Sequence, residues 1–451
     1  MLLWWFTLIV LILVCTFTLD DLIVDLVFWF KRLGPEKLDP EEEARLHRLS
    51  EKSIAILTAN WHEADVIGRM VDGNNMQLRY SRHHFFLGVY PNDLETLKVA
   101  REAASRHPNV HVVLNPMNGP TSKGQMLNEL VRGVLAQEAK LGFTFDVFLL
   151  QDSEDMLHPL SLKVINREIT QSDFLQTPVF SMDRPVKQLV GGTYIEEFAE
   201  LHTKDLFVRA ALGAAIPSAG VGTAISRSLM THLLEKQRGD FLREECLTED
   251  YVLGVGPRAP GFKSSFKCFY REDENGRRDY IATREYFPSA FKAAVRQKSR
   301  WITGIVFQGS ELVPWSGSLW NRYFLYRDRR GPVNSMVAMA CTVLTATYLA
   351  IWFMKGSFPS FLSDPWFVAG LIVTLLGAIN RLLHRIVCVM RVNGWRRAWA
   401  VVIRWPVGNL VNFCATLRAI KQYADHRLRG RPLKWVKTTH ELPENFGRVS
   451  A

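Results

Sequence analysis

Apolar residues are spread unevenly along this chain: long uncharged runs occupy its two ends, and short apolar runs alternate with amphipathic stretches between them. The first run, MLLWWFTLIVLILVCTFTL at positions 1–19, has no charged side chain. As a helix rising about 1.5 Å per residue it would cover about 28 Å, enough to cross a bilayer. The competing reading is a cleaved signal peptide, but there is no basic n-region and no small-residue cleavage site. Asp20, Asp21 and Asp25 follow, set in a helical rhythm among Leu22, Ile23, Val27, Phe28 and Trp29. That pattern predicts an interfacial helix, so 1–30 reads as an anchor followed by a segment lying along the membrane.

Apolar sequence returns after Arg327, Arg329 and Arg330, with predicted spans at 333–354 and 366–389. Lys355 is the only base between them, whereas Arg381, Arg385, Arg391, Arg396 and Arg397 end and follow the second. The positive-inside rule then places the Lys355 loop and the N-terminus outside and both flanks in the cytoplasm. The run 398–417 is interrupted by Arg404 and Pro406 and flanked by bases, which suits an interfacial or re-entrant helix. Three spans are expected, with a fourth left open. The layout is an N-terminal anchor (1–30), a cytoplasmic domain (31–331), transmembrane and interfacial helices (332–426) and a basic tail (427–451).

Within the middle, β-branched and aromatic runs at 53–58, 85–90, 110–114 and 145–151 alternate with helical stretches at 94–106 and 124–141. This order predicts an α/β domain on a mostly parallel sheet. Ligands of such sheets bind beyond the carboxyl ends of the strands, where strand order reverses. Ala59-Asn60-Trp61-His62-Glu63, Pro91-Asn92-Asp93 and Asp152-Ser153-Glu154-Asp155 each follow a predicted strand, so each delivers a carboxylate to one edge.

Composition changes this picture little. With 48% apolar and 22% charged residues the chain is neither disordered nor collagen-like. Six cysteines lie far apart without a CxxC pair, which argues against a zinc ribbon or a disulfide framework and for a reducing compartment. The formal charge of +10 comes from bases clustered beside apolar runs. A lipid bilayer, and no nucleic acid, is therefore the expected charged partner.

Asp152 and Glu154 are two positions apart and in an extended backbone would share a side, where they could hold a hard divalent cation on a diphosphate. A solvated turn is the structural alternative. Thr248-Glu249-Asp250 reads equally as a helix N-cap with two acids in the first turn. Gln297, Arg300 and Trp301, at i, i+3 and i+4, share one face of a predicted helix. That face is either an ordinary amphipathic surface or a guanidinium for phosphate beside an indole for a sugar. Ser218-Ala219-Gly220-Val221-Gly222-Thr223 offers glycines for a tight turn or a close backbone approach to a ligand. Other chemistries fail: Val66 breaks an HExxH pattern at His62-Glu63, no GxSxG occurs, and Gly119-Pro120-Thr121-Ser122-Lys123 is not a P-loop.

Asp93, Asp152-Ser153-Glu154, Thr248-Glu249-Asp250 and Gln297-x-x-Arg300-Trp301, in that order before apolar spans, resemble the D, DxD, TED and QxxRW series of family 2 glycosyltransferases, which cellulose and hyaluronan synthases share. More narrowly, the segments 119–123, 217–223, 284–288, 294–302 and 435–440 resemble the NfrB-type bacteriophage adsorption proteins. The resemblance implies a GT-A domain and an inverting, metal-dependent transferase of the bacterial inner membrane, using a UDP-sugar such as a UDP-N-acetylhexosamine. It implies a growing glycan as acceptor, a secreted or surface polysaccharide used in phage adsorption, and an outer-membrane export or receptor partner; three or four spans are few for a self-contained polymer channel, so export would need a homo-oligomer or partner proteins.

By the same resemblance, Glu63 and Asp93 would hold the uridine, and Lys123, Asp152, Gln297 and Arg300 the rest of the donor. Asp152 and Glu154 would bind Mg²⁺ or Mn²⁺, and Asp250, beside Glu249, would be the base. Trp301, Gly220, Gly222 and Thr223 would face the acceptor. Asp-Ser-Glu departs from the DxD pattern. Relatives usually continue into a cyclic di-GMP-binding domain, so regulation by that nucleotide is not carried over. The alternatives are a transferase adding one sugar to a lipid or glycan, and a catalytically idle envelope scaffold.

Overall fold

The computed structural model describes residues 1–256, 261–274, 276–433, 441–444 and 446; the 435–440 motif lies outside the described residues. The chain opens on α1 (Leu2–Phe30). It then alternates β1 (Ile54–Ala59), α2 (Ile67–Gln77), β2 (His83–Val89), α3 (Leu94–Arg106), β3 (Val110–Leu114), α4 (Lys123–Leu141) and β4 (Val147–Gln151). Except for α2, which was not predicted, these match the predicted strands and helices to within about two residues, the usual uncertainty of an element's end.

After β5 (Phe174–Gln176), α5 (Leu189–Glu200), β6 (Thr223–Ser226), α6 (Glu249–Val255) and β7 (Ser264–Phe266), a seven-stranded sheet is complete in the order β7-β5-β6-β4-β1-β2-β3. The first four strands pair in parallel, and β6 runs antiparallel to β4 and β5. The run Ile54–Ala59 is apolar throughout because both faces of β1 are covered. Ala55 and Leu57 pack with Met126 and Leu130 of α4, and Ile54 and Ile56 pack with Ile67, Met70 and Leu97 of α2 and α3. β1 lies between β2 and β4, so strand order reverses at β1 and a crevice opens beyond the ends of β1 and β4.

The domain ends on two polar helices, α7 (Phe291–Ile302) and α8 (Leu319–Arg329), and the apolar C-terminal part forms α9 (Gly331–Lys355), α10 (Pro365–Asn393) and α11 (Ala400–Arg429). By length and composition α1, α9, α10 and α11 could each cross a membrane. Ile9, Ile12, Leu375 and Leu376 are exposed on them, as lipid-facing side chains must be.

Two expectations are corrected here. First, α1 does not give way to a separate interfacial segment at 20–30 but runs unbroken to Phe30. Its acids are neutralised instead of turned to water: Asp20 and Asp21 pair with Arg330 at 2.5 Å each and with Arg327, and Asp25 pairs with Lys204 at 2.8 Å. Second, the interruption at Arg404 and Pro406 does not break α11, which is one helix of 30 residues. Arg404 is fully buried, with Glu196 of α5 at 3.7 Å. Asn412 bonds Glu197 and Lys298, and Arg427 pairs with Glu311, so α11 touches helices of the α/β domain along most of its length.

Candidate active site

The cleft is assembled at the crevice between β1 and β4. Asn60, just past β1, donates to the carbonyls of Thr58 (2.9 Å) and Gly88 (3.0 Å), which pins it between two strands. Its Oδ1 accepts from the Ser153 hydroxyl at 2.8 Å, joining the β1 loop to the β4 loop. The 152–155 segment is a turn and not the extended backbone expected: the Asp152 amide donates to the Asp155 carboxylate at 2.6 Å. Burial, then the charges of Asp152 and Glu154, push the Asp155 carboxyl well above its ordinary range.

Lys123 enters from α4, whose N-terminus is capped by Ser122. Burial opposes its charge, but Asp152, with which it pairs, and then Glu249 and Asp250 hold the ammonium protonated far above the usual range. Glu63 lines the cleft wall, with its amide bonded to the Thr96 hydroxyl at 2.9 Å. Asp93 is placed otherwise than expected. It is buried at the N-cap of α3, accepts the His62 amide at 2.6 Å, and is not among the residues lining the cleft. His62 has φ of 57°, so Asp93 clamps a strained turn that presents Trp61 and Glu63.

Thr248 occupies the N-cap position of α6, but its side chain makes no capping hydrogen bond. Glu249 and Asp250 follow in the first turn and line the cleft. Burial, and next the charge of Asp250, raises the Glu249 carboxyl to about 7. Burial also raises Asp250, while Lys123 restrains the rise. A Cβ on Gly220, whose φ is 82°, would lie 2.6 Å from Asp250 Oδ2, so only glycine lets this loop approach the carboxylate. Gly222 and Thr223 stand behind the wall: Gly222 closes on Thr177, and the buried Thr223 hydroxyl donates to Gln176 at 2.8 Å. They shape the loop and do not reach the cleft.

On α7, Gln297, Arg300 and Trp301 all face the cleft. Gln297 Oε1 is buried without a hydrogen-bond partner, an acceptor available to a ligand hydroxyl. The Trp301 ring sits edge-on to Tyr194 (6.0 Å) and Phe287 (6.3 Å) and near Phe198 (6.3 Å), which hold the indole in place. The cleft is open to solvent and offers about 120 Å³ to the centres of water-sized molecules. Tyr90, Thr121, Phe198, Leu247 and Glu285 line it and were not foreseen. Phe198 and Tyr90 sit in sequence indistinguishable from core, so no local signal could have found them.

Among the described residues no three acidic, histidine or cysteine groups already converge on a metal position. Two carboxylates with substrate phosphates completing the shell is, however, the usual arrangement for Mg²⁺. Asp155 Oδ1 is buried without a hydrogen-bond partner beside Asp152 and Glu154, a crowding of oxygens that a hard cation would relieve. The donor set therefore fits such an ion.

Comparison with known proteins agrees with this geometry. The family Glycosyltransferase like family 2 matches residues 52–304. The Bacteriophage adsorption protein B of Escherichia coli K12 and the Bacteriophage N4 adsorption protein B of Escherichia coli O157:H7 are each 37% identical over 453 aligned positions, covering 95% of this chain. The chain spans 61% of the length of those relatives. Among solved structures, the mannosyltransferase PcManGT of Pyrobaculum calidifontis, in complex with GDP-Man and Mn²⁺, superposes with a TM-score of 0.55 at 13% identity, covering 91% of this chain and 98% of that one. The fold is thus that of a GT-A-like glycosyltransferase, and the chain belongs to glycosyltransferase family 2.

Proposed function

We propose that this chain is an inverting glycosyltransferase that uses a UDP-sugar, a UDP-N-acetylhexosamine by resemblance, to build a secreted or surface polysaccharide serving in phage adsorption. The observation that carries the reading is the convergence of Lys123, Asp152, Asp250, Arg300 and Trp301, from four separate segments, on one cleft. The 37% identity to phage adsorption proteins supports the biological role.

In this reading the acceptor hydroxyl oxygen attacks the sugar C1, the C1–O bond to the diphosphate breaks, and its electron pair leaves with UDP. Asp250 takes the hydroxyl proton; its raised affinity for protons makes it a better base near neutrality than an exposed aspartate. Arg300 and Lys123 stabilise the departing diphosphate. Trp301 stacks on the acceptor. Asp152 and Glu154 would hold Mg²⁺ or Mn²⁺, which when bound neutralises charge on the diphosphate. Glu63 contacts the nucleoside, and Asp93 acts on it only through the His62 turn. A single displacement inverts the anomeric centre.

α1, α9 and α10 cross the inner membrane, with the catalytic domain in the cytoplasm. α11 lies at the interface, since a helix that touches the domain near both of its ends does not leave it. The test is UDP release by the purified protein in nanodiscs across a panel of UDP-sugars with Mg²⁺ or Mn²⁺, beside Asp250→Asn. Metal-dependent release with one sugar, lost in the variant, is expected. Release by none of them would sink the reading.

A further inference from the structure

The α5 helix stands between the cleft and the apolar helices. Phe198 lines the cleft, whereas its neighbour Glu197 lines a second cavity bounded in part by α1, α9 and α10. Glu197 is met there by Lys298, which follows Gln297 and precedes the Arg300-Trp301 pair on α7 by two positions. The Lys298 ammonium, buried to 4% exposure, donates to Glu197 Oε1 and Oε2 at 2.7 Å each and to Asn412 Oδ1 of α11 at 2.9 Å. Asn412 in turn donates to Glu197 Oε1 at 3.2 Å. The same ammonium lies 4.8 Å from the Tyr194 ring centre, and Tyr194 packs against Trp301. Burial works against the Glu197 charge, but Lys298 outweighs it and holds the carboxyl below the ordinary range.

All three ammonium protons thus have acceptors, and the acceptors come from two other helices. A lone buried ion pair resists packing errors poorly, but a fully satisfied three-helix junction fixes one geometry. We infer that Lys298 is a positioning residue for the transfer reaction, locking the rotation of α7 so that Arg300 and Trp301 meet the reacting groups, and that it ties α11 to the active site. This rests on the transferase reading above.

Lever arithmetic gives the expected size. Turning a helix by about 10° moves a guanidinium about 8 Å from its axis through about 1.4 Å. A misplacement of about 1 Å can cost about 10²-fold in rate. Neither Glu197 nor Asn412 lines the cleft, and both meet α7 at Lys298.

The test compares wild type with Lys298→Met, the charge-balanced double variant Lys298→Met/Glu197→Leu, and Asn412→Leu. Each is assayed in nanodiscs for UDP release with the donor that wild type uses, and for melting temperature and UDP binding. The expected result is a kcat about tenfold or more below wild type in the double variant, with donor KM within about twofold and a near-normal melting temperature. Asn412→Leu, the milder change, should lower kcat about threefold, and it carries the test if the Lys298 variants do not fold. Undiminished kcat in the folded variants overturns the positioning role while leaving the transferase reading intact. Loss of kcat only in proportion to lost melting temperature assigns the junction to stability and overturns it as well. Absence of UDP release from wild type with every donor overturns the transferase reading, and this inference with it.

Discussion

Glu249 and Asp250 are adjacent carboxyls in one buried turn, and only one of them needs to accept the acceptor proton. Burial raises both, and Asp250 raises Glu249 further, to about 7. Because the base works deprotonated, turnover should rise with pH through the raised value of Asp250 and fall on the acid side of it, at a higher pH than an exposed aspartate would give. Glu249 is raised by the charge of Asp250 and is still protonated where Asp250 ionises, so Glu249→Gln should leave the acid limb of the kcat profile in place. A profile from roughly pH 5 to 9 checks both statements, and a limb displaced in the variant would mean that Glu249 ionises first. Asp250→Asn should lose about 10²–10⁴-fold in kcat while still binding UDP, which calorimetry and UDP release together would establish. Gly220→Ala should also lower kcat, since the added methyl would press on Asp250 Oδ2 from a backbone already at positive φ. Normal kinetics in that variant would mean that the loop yields freely.

Among elements, the contact of α1 with α10 shows how membrane helices meet. A Cβ at Gly370 would run into Leu11, and one at Gly377 into Thr18, so two small residues a heptad apart let the helices touch. Gly377→Leu should therefore force the pair apart. The expected cost is about 1–3 kcal/mol, read as a lower melting temperature in detergent with UDP affinity unchanged. A variant that melts like wild type would show that the helices repack. α11 illustrates the opposite case. Composition marks it as a possible span, yet Arg404 is turned into the catalytic domain beside Glu196 and Gly192, so the charge that looks intolerable in sequence is a domain contact.

For the whole molecule, the boundary between apolar helices and catalytic domain is stitched by charge. Asp21 faces Arg327, Arg330 and Arg381, and Asp25 faces Lys204 and Asn380, so α1 is fastened to α8, α9 and α10 and to the segment after α5. Removing one side of such a pair leaves its partner charged in a poorly hydrated place. Lys204 keeps Glu200 at 3.2 Å and Asp205 at 3.6 Å, so Asp25→Leu should destabilise by about 1.5–3 kcal/mol and lower the yield of folded protein. Size-exclusion chromatography and melting in detergent test this, and wild-type behaviour would mean that water replaces the carboxylate. The topology makes a separate prediction. A single cysteine at Ser357, in the loop between α9 and α10, should label with a membrane-impermeant maleimide in intact spheroplasts, and one at Glu274 in the catalytic domain only after lysis. The reverse pattern would invert the proposed orientation.

The order of strands and helices, the carboxylates at strand ends, the shared face of Gln297, Arg300 and Trp301 and the apolar character of the terminal helices were all readable from the chain. Each is a local property: periodicity, β-branching and composition act within about a dozen residues. What the tertiary structure alone decided is pairing across distance. The continuity of α1 depends on bases some 180 to 360 positions away, and the placement of Arg404 on an acid more than 200 positions earlier. In sequence, a strand-end carboxylate such as Asp93 looks the same whether it faces a nucleotide or clamps a neighbouring turn. Phe198 and Lys298 looked like ordinary helix residues, and only the meeting of α5, α7 and α11 puts one in the cleft and the other behind it. Sequence states which groups reach an edge; burial and long-range partners determine which of them are left to act.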